Sequence, residues 1–216
     1  MKLTIIYDNE IYKKDIGLKS DWGFSCLIET SDENILFDAG AKGKILLGNM
    51  QKIGIDPSNI NKIVISHEHW DHNGGLKELI PLVKNVESYQ LENKNTDKNL
   101  KLTIVKKPQK ISKNIHTTGR LKGVPIDEQS LILTGEKGIY VLAGCSHSGV
   151  EQIFNTAKQF GDIIGLIGGL HGFDNFSVLE DLKFICPAHC TKNKKKIYEM
   201  FPKTSVKCGV GKTIEI

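Results

Sequence analysis

Three imidazoles and a carboxylate stand within six positions of this chain, at His67-Glu68-His69-Trp70-Asp71-His72, directly after a β-like run, Lys62-Ile63-Val64-Ile65-Ser66. Extended or tightly turning backbone points residues two apart to the same side, so His67 and His69 can face one ion. A turn beginning at Asp71 swings that carboxylate and His72 toward a second. Imidazole and carboxylate together suit zinc and similar borderline divalent metals. A solvated polar turn is the plain alternative, but it has no need of four ligand-type residues at this spacing.

The rest of the composition narrows the class. With 216 residues the chain is read as a single domain over 1–216, long enough for a substantial core. No apolar run approaches the about 20 residues of a membrane span. An acid as early as Asp8 argues against a secretory signal, so a cytoplasmic protein with no membrane partner is expected. The five cysteines (Cys26, Cys145, Cys186, Cys190, Cys208) are odd in number and scattered, and read as thiols rather than as a disulfide framework. Cys186-Pro187-Ala188-His189-Cys190 suggests a closed zinc or cluster site, but that needs a second Cys/His pair at matching spacing, and none is evident nearby. His189 is therefore read as a ligand and its cysteine neighbours as packing residues. The net charge of +4 is mild, and its lysine runs (106–107 and 192–196) are separate from the histidine motifs and lack interleaved aromatics. No nucleic-acid partner is expected, and a small-molecule substrate is.

Apolar patterning predicts strands over 3–7, 24–29, 34–38, 60–66, 100–105, 131–134, 138–142, 162–167, 182–186 and 213–216. Helical spacing covers 42–53, stopped by Gly54, then 76–83, 150–160, closed by Gly161, and 194–201. The segment 85–120 is least legible, and 92–99 is polar throughout, either a cover for the site or plain surface loop. Hairpins mixed with β-α alternation support an α/β or α+β class. Gly209-Val210-Gly211-Lys212-Thr213 fails as a phosphate loop because its first glycine is too close and no helix follows. No G-x-S-x-G elbow is present, so serine-hydrolase chemistry is not expected.

The His67–His72 motif, with Gly144-Cys145-Ser146-His147-Ser148-Gly149, Gly168-Gly169-Leu170-His171 and Ala188-His189-Cys190-Thr191, resembles the metallo-β-lactamase superfamily. Within it, the set resembles the metal-dependent hydrolase branch related to dihydropterin–ribofuranosylaminobenzene phosphate synthase. The resemblance implies a four-layer αββα sandwich with the ligands at strand ends. It implies one or two divalent ions, zinc foremost: His67, His69 and His147 for the first, and Asp71, His72 and His189 for the second. It also implies that Asp38, closing the third strand, orients a ligand imidazole from behind. His116 reads as a surface or structural residue. One departure stands out: many relatives place a bridging Asp at a strand end between the third and last histidine motifs, and no acid here has that context. Di-iron relatives carry Glu where this chain has His69, which argues against their chemistry.

These parts imply a metal-dependent hydrolase that uses a metal-bound hydroxide on a small ester, phosphoester or lactone. Asp71 is expected to hold an ion and orient the nucleophile, and His171 to stabilise the oxyanion or protonate the leaving group. The alternatives are a metal-dependent transferase of pterin–aminobenzene type, with Trp22 or Phe173 as stacking groups, and a non-catalytic metal-binding module. The oligomeric state is not legible in the sequence.

Overall fold

The early apolar runs form strands β1 (Lys2–Tyr7), β2 (Ser25–Glu29) and β3 (Asn34–Phe37), joined antiparallel with the register Leu3↔Ile28 and Ile28↔Ile35. The computed structural model describes residues 1–93 and 97–216, so part of the polar stretch 92–99 lies outside the described residues. Clustering of contacts divides the chain into two units, Met1–Ile104 with Cys208–Ile216, and Val105–Lys207.

In the first unit, helix α1 (Gly43–Ile53) follows, buries Leu46 and Met50, and stops at Gly54, whose φ of 83° only glycine adopts cheaply. Strand β4 (Lys62–Val64) is shorter than the apolar run that announces it. Its ladder continues one step through the Ile65 amide, which donates to the Tyr89 carbonyl at 3.0 Å. Two short helices come next, α2 (Trp70–Asn73) and α3 (Leu76–Leu79). The helix expected over 76–83 tightens into a 3₁₀ turn at Ile80–Leu82, because Pro81 has no N–H to continue an α-helical ladder. Strands β5 (Val86–Gln90) and β6 (Leu100–Ile104) complete a run in which β3, β4, β5 and β6 are parallel neighbours. Strand β5 escapes sequence reading because its inward positions include Ser88 and Gln90, a buried polar pair bonded to each other at 2.7 Å.

The second unit repeats that plan. Strands β7 (Gln109–Ser112), β8 (Ile115–Thr117), β9 (Leu131–Gly135) and β10 (Gly138–Ala143) pair antiparallel in order. Helix α4 (Val150–Ala157) leads to β11 (Ile163–Gly169), parallel to β10, and β12 (Phe184–Ala188) lies parallel beyond it, before α5 (Lys194–Met200). The pair β7–β8 turns at Asn114, with φ 64°, and its three- and four-residue strands are too short to show a period. Finally β13 (Thr213–Glu215) returns to the first unit as the edge strand outside β1.

Each unit packs helices on its own sheet. Ile6, Leu27, Leu36 and Ile63 meet Leu46, Met50 and Leu79 in the first. Ile132, Val141 and Leu166 meet Ile153, Phe154 and Ile197 in the second. In each unit the C-terminal ends of parallel strands fall side by side, the usual place for ligands in open α/β sheets. Among the described residues no helix is long and apolar enough to cross a membrane. Replacing Leu46 or Ile153 by Ala is expected to cost about 2–5 kcal/mol each, read as a lowered urea midpoint.

Candidate metal centre

Strands β3 and β4 end beside each other, and one carboxylate ties their tips together. Asp38 is fully buried with a φ of 58°. Its Oδ1 accepts from the Ser66 amide at 2.7 Å, and its Oδ2 accepts from the Ser66 hydroxyl at 2.8 Å and from His72 Nδ1 at 2.7 Å. Ser66 Oγ also lies 2.8 Å from His67 Nδ1. The hydroxyl has one proton and gives it to Asp38, so His67 Nδ1 must be the donor in that contact. Both His67 and His72 are thereby fixed as Nδ1–H tautomers, each with a lone pair on Nε2, the form a metal requires.

The Nε2 of His67 lies 3.1 Å from His69 Nδ1, and the His67 and His72 rings lie 4.1 Å apart. Asp71 is buried in the first turn of α2, with Oδ2 3.9 Å from His72 Nε2. The expected turn at Asp71 is thus a short helix with His69 at its N-cap. Burial holds the His69 imidazole below its ordinary pKa, against the pull of Asp71, and so favours the neutral, ligating form.

Helix α2 seats directly on the loop after Asp38. The Ala39 amide donates to the His72 carbonyl at 2.7 Å, and a Cβ on Gly74 or Gly75 would strike the carbonyl oxygens of Ala41 or Ala39. On the other side, the Phe24 amide donates to the Asp71 carbonyl at 3.2 Å, which brings the half-exposed Trp22 close to the motif. That loop is held by Asp21, which accepts from Tyr7 Oη at 3.2 Å and pairs with Lys42 at 2.7 Å.

In the second unit His147, His171 and His189 follow the ends of β10, β11 and β12. A buried carboxylate again lies beneath. Glu128 accepts from the backbone amides of Cys145 at 2.7 Å, Ser146 at 3.1 Å and His147 at 2.6 Å, while Ser146 Oγ donates to the Gly169 carbonyl at 2.7 Å. The His147 and His171 ring centroids are 4.6 Å apart, and ligand atoms of Cys145, His147 and His171 lie within 4.8 Å of one another. His189 is buried. Strand β11 ends in Gly168-Gly169 without a carboxylate, as the sequence suggested. His116 is on β8 and stacks on Phe160 at 4.8 Å, a structural setting.

Asp38, Ser146, His171 and His189 all have positive φ, at 58°, 61°, 46° and 42°. Each such residue costs about 1–3 kcal/mol and persists only where its surroundings over-determine it, typically at functional sites. Strain, buried carboxylates and an imidazole-rich donor set fit divalent metal binding. Sequence reading missed Glu128 and Ser66. Glu128 precedes the loop it holds by 17 to 19 positions, with no local motif to mark it.

The family model of the metallo-β-lactamase superfamily matches residues 23–154, more than half of the chain. The chain belongs to that superfamily. It is 29% identical to an uncharacterised protein of Methanocaldococcus jannaschii, over 88% of this chain and 90% of that one. From the same organism, 7,8-dihydropterin-6-methyl-4-(β-D-ribofuranosyl)-aminobenzene-5'-phosphate synthase is 25% identical over 91% of this chain and 90% of the relative. Among solved structures, Tm1679, described as a metal-dependent hydrolase of the β-lactamase superfamily, superposes with a TM-score of 0.80 at 22% identity, covering 100% of this chain and 99% of the other. The expected metallo-β-lactamase-like, mixed α/β fold is therefore the observed one.

Two outcomes are expected. Long-range ¹⁵N correlations should show His67 and His72 as Nδ1–H tautomers, and Asp38→Asn, which sets an amide NH₂ or a lone acceptor against two donors, should shift the His72 tautomer. Glu128→Gln should lower stability by about 1–3 kcal/mol in urea unfolding, because an amide cannot accept from three N–H groups as the carboxylate does.

Proposed function

We propose that the chain is a metal-dependent hydrolase acting on a small ester, phosphoester or lactone. The ligands we assign to its divalent ions, zinc foremost, are His67, His69, Asp71, His72, His147 and His189. The observation that carries this reading is the Asp38 network, which spends a buried carboxylate and a strained backbone on presenting two imidazole lone pairs. A divalent ion bound there would lower the pKa of a coordinated water toward about 7 and would polarise a carbonyl or phosphoryl oxygen.

The chain's own groups do the rest. Asp38 and Ser66 hold the Nδ1 protons of His72 and His67 in place through the reaction. Asp71, buried beside His72, orients the attacking water through its carboxylate. His171, lifted from the end of β11 by its positive φ, donates a ring proton to the leaving oxygen. The mild net charge and the absence of a basic, aromatic-studded stripe support a small-molecule substrate over nucleic acid.

A transferase is the second reading, favoured by the synthase that matches most of the chain. In that chemistry Trp22 is the available stacking group, half-exposed close to the motif, whereas Phe173 packs edge-on against Phe176 at 6.1 Å.

Elemental analysis of protein purified without chelator should find about two divalent ions per chain, with fewer in His67→Ala. Asp38→Asn should weaken binding about 10- to 100-fold in a chelator competition. Chelation should abolish hydrolysis of a phosphodiester and lactone panel, and zinc should restore it. Full turnover by His67→Ala, or no metal after reloading, overturns the reading. Turnover that appears only with a pterin co-substrate moves it to the transferase.

A further inference from the structure

Two of the buried thiols stand apart from the other three. Cys145 follows β10 and Cys190 follows β12, 45 positions apart in sequence, yet Cys190 Sγ lies 3.9 Å from the Cys145 carbonyl. The Sγ atoms of Cys145 and Cys190 and a ring nitrogen of His189 lie within 4.8 Å of one another, and all three residues are buried. The pair of ligands that the Cys186–Cys190 segment lacks in sequence is completed by a residue from another strand end.

The local backbone is shaped around this contact. His189 takes a φ of 42°, and Ser146, next to Cys145, takes 61°. A Cβ on Gly169 would stand 2.4 Å from the Gly144 carbonyl oxygen, 2.7 Å from Cys190 Sγ and 3.2 Å from Cys145 Cα, so glycine at the end of β11 lets the neighbouring backbone and the thiol both approach. A packing role for two small thiols would not call for backbone strain on both sides of the contact.

We propose that Cys145, Cys190 and His189 form a thiolate-bearing subsite that binds a thiophilic divalent ion, zinc or cadmium in preference to magnesium or manganese. Bonds of about 2.3 Å to sulfur and 2.0–2.1 Å to imidazole nitrogen put tetrahedral ligand atoms about 3.3–3.8 Å apart, within reach of small side-chain rotations here. Soft sulfur donors select such ions over hard ones. Binding is ligand exchange: each thiol releases its proton to solvent as its sulfur joins the ion, with no change of oxidation state. The inference rests on the metal-enzyme reading for His189 as a ligand, and adds two sulfur ligands and an ion preference that reading does not contain.

The test is an absorption titration of the reduced, metal-free full chain with cobalt(II), then with cadmium and magnesium as competitors. The expected result is a near-ultraviolet thiolate-to-cobalt charge-transfer band that is weaker in Cys145→Ser and in Cys190→Ser and lost in the double variant. Cys186→Ser, in which a neighbouring buried thiol is removed, keeps the band. Cadmium should displace cobalt, and magnesium should not. A band that survives in the double variant overturns the proposal. So does the absence of a band in the unaltered chain, a result that needs no variant to fold. His67→Ala separates the two readings: a retained band with hydrolysis lost supports the subsite, and a retained band with hydrolysis intact does so too while sinking the hydrolase assignment of His67.

Discussion

The Asp38 carboxylate, without solvent contact, gathers three donors at the point where β3 and β4 end. Removing a buried carboxylate from water is costly unless every lone-pair direction is used, and these donors meet that cost in part. The same bonds decide which nitrogen of His67 and His72 keeps its proton. Structure and chemistry are therefore set by one group: without it the strand tips lose their tie and the imidazoles lose their tautomer.

Glu128 does the corresponding work in the second unit by different means. It takes three successive backbone amides, fixing the loop from Cys145 to His147. Both units thus spend a buried charge at the C-terminal ends of parallel strands, where ladder bonds run out and the backbone must find other partners. The glycines complete the arrangement from the other direction. Gly74 and Gly75 let a short helix sit against carbonyls, and Gly169 lets the Gly144 carbonyl and the Cys190 thiol come close.

Much of the fold was legible because its strands are long apolar runs and its helices carry clear stops, Gly54 after α1 and Gly161 after the turn that follows α4. The failures have local causes. Strand β5 hides behind the buried polar residues Ser88 and Gln90, β7 and β8 are too short to show a period, and Pro81 tightened a helix that the apolar pattern would have prolonged.

The His67–His72 motif is a property of the sequence alone, since imidazoles two apart on extended backbone face one way whatever surrounds them. Membership of the superfamily follows from such local patterns. What depended on tertiary structure are the partners that meet across long separations: His72 as the ring that Asp38 orients, a role the resemblance gave Asp38 without naming the imidazole, Glu128 under the loop at His147, and Cys145 against Cys190. Each links residues 19 to 45 positions apart, and no spacing rule reaches that far. Hydrogen bonding of buried charge and the volume left by a missing Cβ are quantities of packed chains, and only packing could decide them.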